Sequence, residues 1–226
     1  MTGIDWTAIL LSVRLAALVS AVLLAIGLPL AYWLTFSPRR WKFLIEAVVA
    51  LPLVLPPTVL GFYLLVALGP RSPIGRAWIS LTGHALAFTF EGLVVASIVY
   101  SLPFAVQPLA AAFAQLDPAL IDASSTLGAS PWRTFARVVL PLSVNGVIAA
   151  AVLSFAHTIG EFGVVLMVGG NLPGITRTVS IAIYDDVQAF RLDAAHQTAL
   201  LLLLFSFAVL SIVYAALRRP WTVVPR

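Results

Sequence analysis

Five long stretches without a charged side chain constrain the fold of this chain more than any other feature. They cover residues 15–38, 47–70, 92–116, 138–160 and 194–217, and each is 23 to 25 residues long. An α-helix needs about 20 apolar residues to cross a lipid bilayer. Buried helices of a soluble protein are the alternative, but such helices keep a polar stripe that these stretches mostly lack. The sequence therefore predicts an all-α membrane protein, a polytopic bundle of about five transmembrane helices.

We expect one transmembrane domain over residues 1–226, because no internal repeat or low-complexity linker divides the chain. The first span is not expected to be a cleaved signal, since its start "MTGID" has no basic region. Gly and Pro turn signals in 169–193 precede a half-amphipathic piece near 178–190, which indicates an external helix or a partial re-entry. A sixth, short or re-entrant helix is the alternative to a five-span bundle. The predicted spans are 8–36, 43–69, 88–113, 138–168 and 194–217.

The basic residues indicate the orientation of the spans, because Lys and Arg accumulate on the cytoplasmic side of a membrane protein. Eight of them fall in one alternate set of loops and termini and four in the other, with Arg14 at the edge of the first span. We therefore predict that the N-terminus lies outside and the C-terminus in the cytoplasm. The richer set is Arg39, Arg40, Lys42, Arg133, Arg137, Arg218, Arg219 and Arg226; the poorer set is Arg71, Arg76, Arg177 and Arg191.

The polar segment 114–137 lies on the predicted cytoplasmic side and has the local pattern of two short helices. Asp117 is a good N-cap, and Pro118 suits the first helical position. Gly128 then favours a helix end, because glycine readily adopts positive φ. Ser130 and Pro131 repeat the start signal for a second helix that leads into the fourth span, with Trp132 and Phe135 expected as anchors at the membrane interface. A capped connector without any partner is the alternative interpretation.

The spacing within this segment is more specific than its caps. Asp122-Ala123-Ser124, three residues, Gly128, nine residues, Val138, then Leu140-Pro141 resembles the "EAA" signature of permease subunits of ABC importers. The departures are Asp122 for Glu, Ser124 for Ala and Val138 for Ile, which preserve charge or size. The resemblance implies the type I ABC importer permease fold, with 114–137 as a cytoplasmic coupling-helix loop that docks into the ATPase subunit. The coupling residues implied are Asp122, Ala123, Ser124, Gly128, Ala129, Ser130, Leu140 and Pro141.

The same resemblance implies the partners of the chain. They are a second copy of this chain, two ABC ATPase subunits on the cytoplasmic side, a substrate-binding protein outside, and the lipid of a bacterial cytoplasmic membrane; no nucleic acid is expected. The sequence contains no G-x-x-x-x-G-K-[ST] phosphate loop, and Lys42 is its only lysine. We therefore expect no cofactor on this chain, with ATP and magnesium bound by the partner ATPase.

Two stretches supply candidates for a translocation pathway. The second span contains "LPLVLPPTVLGFYLL", whose prolines break backbone hydrogen bonds, which in lipid is tolerated where the freed groups face protein or a wet cavity. A purely structural kink is equally compatible. The fourth span contains "HTIGEFG", with an ionisable group inside the membrane. The pathway or gate candidates are Pro56, Pro57, Thr58, Gly61, Thr158, Gly160 and Glu161.

The polar side chains inside the spans also admit structural roles. Arg14 and Glu161 are expected at similar depths, so we predict a structural ion pair between them. His157 is expected to be a hydrogen-bonded packing residue rather than a ligand. Ser97, Tyr100, Ser101 and Gln107 form a polar edge on the third span that suits either a polar cavity or hydrogen bonds between helices.

Three sequence elements together narrow the family. "LPLVLPPTVLGFYLL", "GEFG" and "NLPGITRTVSIAIY" resemble the molybdate ABC transporter permeases over roughly residues 8–217. That resemblance implies molybdate as the substrate, with tungstate nearly isosteric and an external molybdate-binding protein as the selective component. Sulfate/thiosulfate permeases share the "GE-aromatic-G" element and are the alternative.

Other functional classes fit the sequence poorly. An intramembrane enzyme needs convergent catalytic groups, but the histidines at 84, 157 and 196 lie in no H-E-x-x-H frame, and no G-x-S-x-G occurs. The chain has no cysteine, which excludes disulfides and thiolate metal sites. An ATP-independent channel or carrier does not require the coupling signature. We therefore expect neither catalytic residues nor a metal site.

Overall fold

The computed structural model describes residues 3–217, and these residues form helices joined by short loops. Arg218, Arg219 and Arg226, which the orientation prediction uses, lie outside the described residues. The α-helices are α1 (Trp6–Phe36), α2 (Lys42–Val54), α3 (Pro57–Leu68), α4 (Pro73–Thr82), α5 (Phe90–Ala114), α6 (Pro118–Thr126), α7 (Pro131–Thr134), α8 (Leu140–Leu142), α9 (Val144–Gly160), α10 (Gly163–Gly169), α11 (Val179–Gln188) and α12 (Leu192–Leu217). A π-helical turn (Phe135–Val139) joins α7 to α8.

Three of these helices, α1, α5 and α12, are each long and apolar enough to cross a membrane, close to the predicted spans 8–36, 88–113 and 194–217. The other two predicted spans are broken. Helices α2 and α3 meet at a bend of 115°, and the segment from α7 to α8 meets α9 at 77°. The described residues therefore contain three continuous spans, or up to five if each bent pair counts as one.

Helices α1, α5 and α9 form the centre of the bundle. The buried face of α1 is rich in small residues, and lipid offers no hydrophobic driving force, so close backbone approach and dispersion must hold such helices together. A Cβ on Gly27 would already touch Leu109 of α5 at 3.4 Å. The small residues that α1 buries are Ala8, Ser12, Ala16, Ser20, Gly27 and Ala31.

The break between α2 and α3 follows from its two prolines. Pro57 occupies the first helical position of α3, and Pro56 precedes it in extended conformation. Neither proline has an N–H group to continue the hydrogen-bond ladder of α2, which ends on Val54. The sequence predicted one kinked span over 43–69, and the 115° bend shows instead a broken span or a re-entrant pair.

The region after α9 also departs from the predicted span 138–168. Helix α9 ends at Gly160, and a separate seven-residue helix, α10, begins at Gly163. The expected external piece near 178–190 forms α11, and the amide of Val179 donates to Ser12 Oγ at 2.8 Å, which ties α11 to α1. Helix α4, in the loop after α3, was not predicted from the sequence.

Candidate functional site

The polar loop forms the two short helices that its sequence predicts. Asp117 is the N-cap of α6, and its Oδ1 accepts from the amide of Ala119 at 2.9 Å. Ser130 is the N-cap of α7, and its Oγ accepts from the amide of Arg133 at 3.3 Å. Prolines occupy the first turn of both helices. The cap predictions are therefore confirmed.

Gly128 forms the elbow between the two helices. Its φ is +77°, in the left-handed region that favours glycine, and its amide donates to the carbonyl of Ser125 at 3.0 Å. The amide of Ala129 donates to the carbonyl of Ser124 at 3.1 Å, which closes the helix end. A Cβ on Gly128 would meet nothing within 4 Å, so the requirement for glycine here is conformational and not steric.

One side-chain hydrogen bond crosses the elbow. Ser124 Oγ lies 2.9 Å from Thr134 Oγ1, which joins α6 to the end of α7. Thr134 is buried, whereas Ser124 is half-buried. Sequence reasoning did not single out Thr134, and its only signal was a hydroxyl near a predicted helix end. The bond is a direct side-chain link between α6 and α7.

Helix α6 buries none of its own residues against the rest of the chain. Asp122 and Ala123 are exposed, and Leu127, directly after the helix, is 87% exposed. A nine-residue helix is marginal in water without tertiary packing. Within residues 3–217, the exposed side of α6 that carries Asp122 and Ala123, with Leu127 after it, is therefore an apolar and acidic face that no other element covers.

The second helix of the loop leads into the core rather than along the interface. Phe135 was predicted as an interface anchor, but it is 9% exposed and packs edge-on against Tyr32 and Phe113. Trp132 is 73% exposed, which suits the predicted interface position. Leu140 packs partly buried beside the same cluster, and Pro141 is exposed in α8.

The pathway candidates of the second span lie on α3, which packs tightly against α10. A Cβ on Gly61 would lie 2.8 Å from Met167 Cβ, and one on Gly163 would lie 2.6 Å from Pro57 Cβ. Contacts this short show that glycine permits the two helices to approach each other. Pro56, Pro57 and Thr58 remain exposed at the start of α3. Sequence reasoning missed the partners Gly163 and Met167, although Gly163 belongs to the quoted "GEFG".

The candidates of the fourth span divide between the core and the surface. Thr158 is 2% exposed and donates to the carbonyl of Ser154, while Gly160 is exposed with open space around its Cα. Ser101 Oγ of α5 lies 3.1 Å from Thr158 Oγ1 and 2.9 Å from His157 Nδ1. The polar edge of the third span thus makes hydrogen bonds between helices through Ser101.

His157 has the packing role that the sequence suggested. Its ring stacks on Phe104 at 3.8 Å between centroids and lies 4.9 Å from the ring of Tyr100. The hydrogen bond to Ser101 satisfies one of its nitrogens. Within residues 3–217, no three His, Cys, Asp or Glu side chains are grouped to hold a metal ion.

The predicted ion pair between Arg14 and Glu161 is wrong. Glu161 is 5% exposed, and its Oε1 accepts from the amide of Val164 at 2.7 Å, capping α10. Arg14 is exposed, and its guanidinium lies 4.7 Å from the centre of the Phe90 ring. The Glu161 carboxylate therefore has a local backbone partner, and the Arg14 guanidinium makes a cation–π contact with Phe90. Ion pairs in residues 3–217 join Arg177 to Asp185 and Arg191 to Asp186.

The Arg177 pair belongs to a polar network that the sequence did not indicate. Arg177 Nε donates to Asn171 Oδ1 at 2.6 Å, and Asn171 Nδ2 donates to Asp185 Oδ2 at 2.6 Å. The network joins the loop before α11 to that helix. These contacts hold the loop that contains Asn171 and Arg177 against Asp185 of α11, within the segment 169–193 that was predicted to lie outside.

The cap on α10 gives a test that separates hydrogen bonding from charge at Glu161. Glu161→Gln keeps a side-chain oxygen that can accept from Val164, so we expect a melting temperature within about 2 °C of the native chain. Glu161→Ala leaves a buried amide unsatisfied, which costs about 1–3 kcal/mol of unfolding free energy. Thermal unfolding in detergent measures both. Arg14→Gln is the matched control. If Arg14→Gln loses as much stability as Glu161→Ala, the predicted ion pair between Arg14 and Glu161 would be supported after all.

Comparison with known proteins places this geometry among transport permeases. The family model described as binding-protein-dependent transport system inner membrane component matches residues 9–220. The chain is 54% identical over 214 residues to the molybdenum transport system permease protein ModB of Azotobacter vinelandii, covering 95% of each chain. It is 39% identical over 188 residues to ModB of Escherichia coli K12, covering 83% of this chain and 82% of that one.

A solved structure has a similar fold. A chain of the MetNI methionine ABC transporter, crystallised in inward-facing conformations, matches with a TM-score of 0.71 at 19% identity, covering 93% of this chain and 95% of that chain. This likeness confirms the predicted fold class, an all-α bundle of the kind found in ABC importer permeases.

Proposed function

Because the chain belongs to the family of binding-protein-dependent transport system inner membrane components, we propose that it is the membrane-spanning subunit of an ATP-driven importer of molybdate. The assignment of molybdate as the substrate rests on the 54% identity, over 95% of each chain, to a permease named for molybdenum transport. Tungstate is nearly isosteric and fits the same proposal. Import of sulfate or thiosulfate is the alternative, since those permeases share the "GEFG" type of element.

We propose that two copies of this chain assemble with two ABC ATPase subunits and an external molybdate-binding protein. The sequence has no phosphate-binding loop. Its single lysine, Lys42, donates from Nζ to the carbonyl of Leu34 at 2.8 Å and so serves the end of α1. ATP and magnesium would therefore be bound by the ATPase, and this chain would bind no cofactor.

The face of α6 is the proposed docking surface for the ATPase. Within residues 3–217, α6 has no fully buried residue and Leu127 after it is 87% exposed, so the helix needs a partner to stabilise it. Docking would cover Leu127 and Ala123 and place Asp122 against a basic or polar group of the ATPase. The remaining motif residues have supporting roles: Ser124 reaches Thr134, Gly128 forms the elbow, and Ser130 caps α7.

Energy would pass from α6 into the membrane through contacts that the fold provides. When the ATPases close on ATP, α6 moves with them, and the Ser124–Thr134 bond carries α7 along. The π-helical turn and the 77° bend connect α7 to α9, which ends beside Glu161 and the contact between α3 and α10. Alternating access requires an element that can adopt two arrangements and whose equilibrium is shifted by events at both of its ends.

The proposed orientation places α6 and the C-terminus in the cytoplasm and α11 outside. It rests on the eight-to-four distribution of basic residues. The chain has no cysteine, so a single cysteine at exposed Ser125 of α6 reports its side without background. Labelling of that cysteine by an impermeant maleimide in intact cells would contradict the orientation.

Uptake of labelled molybdate tests the function. Vesicles that carry this chain with its native ATPase and binding protein should accumulate molybdate only with ATP, and excess unlabelled sulfate should not compete. Excess tungstate should compete. Uptake that sulfate abolishes would assign the chain to the sulfate importers, and uptake without ATP would refute the ATP-driven mechanism.

A further inference from the structure

A cavity of about 550 Å³ lies where α5 ends and where α6 and α9 begin. Its polar wall residues are Gln115, Asp117, Ser143 and Asn145. A single water needs about 10–15 Å³ of comparable space, so the cavity admits a small ion together with several waters. The cavity opens beside α6 but includes none of the residues assigned to the docking face of that helix.

The start of α9 brings unpaired backbone donors to this cavity. Asn145 and Gly146, the second and third residues of α9, both line it. The first amides of a helix have no partner within that helix, and the 77° bend before α9 separates it from the preceding helical segment. Val147 closes the first turn by donating to the carbonyl of Ser143 at 3.1 Å. A helix of 17 residues also carries a partial positive charge at this end, which favours an anion.

Ser143, the residue before α9, has a buried hydroxyl without a partner. It lines the cavity and is 3% exposed, and within residues 3–217 its Oγ makes no hydrogen bond. It occupies the N-cap position of α9 but makes no side-chain cap bond. A buried hydroxyl without a hydrogen bond costs free energy, so a ligand that accepts from it would be favoured. Asn145 and Gln115 are exposed on the same cavity, and each carries a side-chain amide with two donor hydrogens.

We propose that this cavity binds a tetrahedral oxyanion at the cytoplasmic end of the transport pathway, where the anion is released. The proposal rests on the proposed function and orientation, which supply molybdate as the anion and place the start of α9 toward the cytoplasm. The first amides of α9, the Ser143 hydroxyl and the side-chain amides of Asn145 and Gln115 would donate to the oxygens of the anion. Each of these donors is neutral, so the anion would be held by dipoles rather than by a cation.

Asp117 places a carboxylate on the wall of the same cavity, and its charge weakens the binding of an anion. Its Oδ1 accepts from the amide of Ala119 at 2.9 Å, which holds the carboxylate at the start of α6. A site along a pathway must bind weakly enough for its ion to leave. Repulsion by Asp117 therefore suits a site of release. Neutral donors do not distinguish one tetrahedral dianion from another, so we expect selection to remain with the external binding protein.

Protection of a cysteine on the cavity wall tests the proposal. Leu142 lines the cavity and is 54% exposed, and the chain has no native cysteine. The complex of Leu142→Cys with its ATPase subunits is labelled by a maleimide in phosphatidylcholine nanodiscs without nucleotide. Molybdate at several times its Kd should slow this labelling by about fivefold or more. Tungstate and sulfate should protect similarly, and chloride at equal ionic strength should not.

Two sets of variants and one control identify the groups that hold the anion. Asp117→Asn keeps the helix cap and removes the charge, so molybdate should protect Leu142→Cys at about a fivefold lower concentration. Asn145→Leu combined with Gln115→Leu removes donors and should raise that concentration about tenfold. Ser80→Cys on α4 is exposed outside the cavity and should be labelled at one rate throughout. Protection that neither set of variants changes, or protection by chloride, would overturn the proposal.

A lipid phosphate is a second source of the same chemistry. If phosphatidylglycerol in the nanodiscs protects Leu142→Cys and molybdate adds nothing, a lipid headgroup occupies the cavity and the proposal is overturned. Uptake in vesicles tests the proposed function separately. ATP-driven uptake by Leu142→Cys without any protection by molybdate would overturn the release site alone. Absence of ATP-driven uptake in the native chain would overturn the function on which the site rests.

Discussion

Gly128→Val is expected to lower ATP-driven uptake by about tenfold while leaving the chain inserted in the membrane. Gly128 has a φ of +77°, a conformation that costs an L-residue about 1–2 kcal/mol and is worst for a β-branched side chain. A penalty of about 1.4 kcal/mol shifts the equilibrium between the native elbow and other loop conformations tenfold. Uptake and the amount of ATPase retained on purification would measure the effect.

Gly128→Asn is the matched control, because asparagine tolerates the left-handed region. A Cβ at this position meets nothing within 4 Å, so both side chains have room. We expect Gly128→Asn to keep uptake within about threefold of the native chain. If both variants transport equally well, the elbow geometry does not matter to coupling, and the role proposed for α6 and α7 loses its main support.

The polar loop was predictable from the sequence because its structure is determined locally. A cap oxygen, a proline in the first turn and a glycine at the helix end each act over three or four residues, so their spacing indicates the fold directly. Asp117, Gly128 and Ser130 all take their predicted conformations. The bond from Ser124 to Thr134 connects two helices, and no local pattern indicates it.

The wrong ion pair involved contacts between distant elements, whereas the break in the span 43–69 followed from local prolines, which predicted a kink but not its size. Hydropathy shows which residues are apolar but not where the helix axis turns. The segment 43–69 was therefore predicted as one span, although its two helices meet at a bend of 115°. From the sequence, Arg14 and Glu161 are expected at similar depths in the membrane. A similar depth does not establish that their side chains face each other. Glu161 found a partner three residues away at Val164, and the partner of Arg14 is Phe90 on a different helix.

Helix α9 connects the two regions that the predictions address. Its 17 residues extend about 25 Å, from the bend that follows the polar loop to the break before α10. Hydrogen bonds from Ser101 to its residues His157 and Thr158 hold it against α5. In the proposed mechanism, movement of the loop would reach α10 through α9, and the close packing of α10 on α3 would pass it to α3.

Gly163→Ala is expected to destabilise the chain by about 1–3 kcal/mol and to lower uptake by tenfold or more. The new methyl group would lie 2.6 Å from Pro57 Cβ, and the rigid proline ring cannot rotate away, so α3 and α10 must separate. A preference of 1–3 kcal/mol for the displaced arrangement changes an equilibrium about 5- to 150-fold. Thermal unfolding and molybdate uptake measure the two effects.

Gly160→Ala supplies the control three residues earlier. Gly160 is the last residue of α9, and its new Cβ would meet nothing within 4 Å. Because alanine lowers the conformational entropy of the unfolded chain, Gly160→Ala should raise the free energy of unfolding by about 0.4–1 kcal/mol. Although Gly160 is a pathway candidate from the sequence, a Cβ there meets no neighbour, so uptake should fall much less in Gly160→Ala than in Gly163→Ala. Equal stability and equal uptake in the two variants would mean that α3 and α10 do not pack closely during transport. A loss confined to Gly163→Ala would instead show that transport requires the close packing of this helix pair, because the same methyl group at Gly160 meets no neighbour.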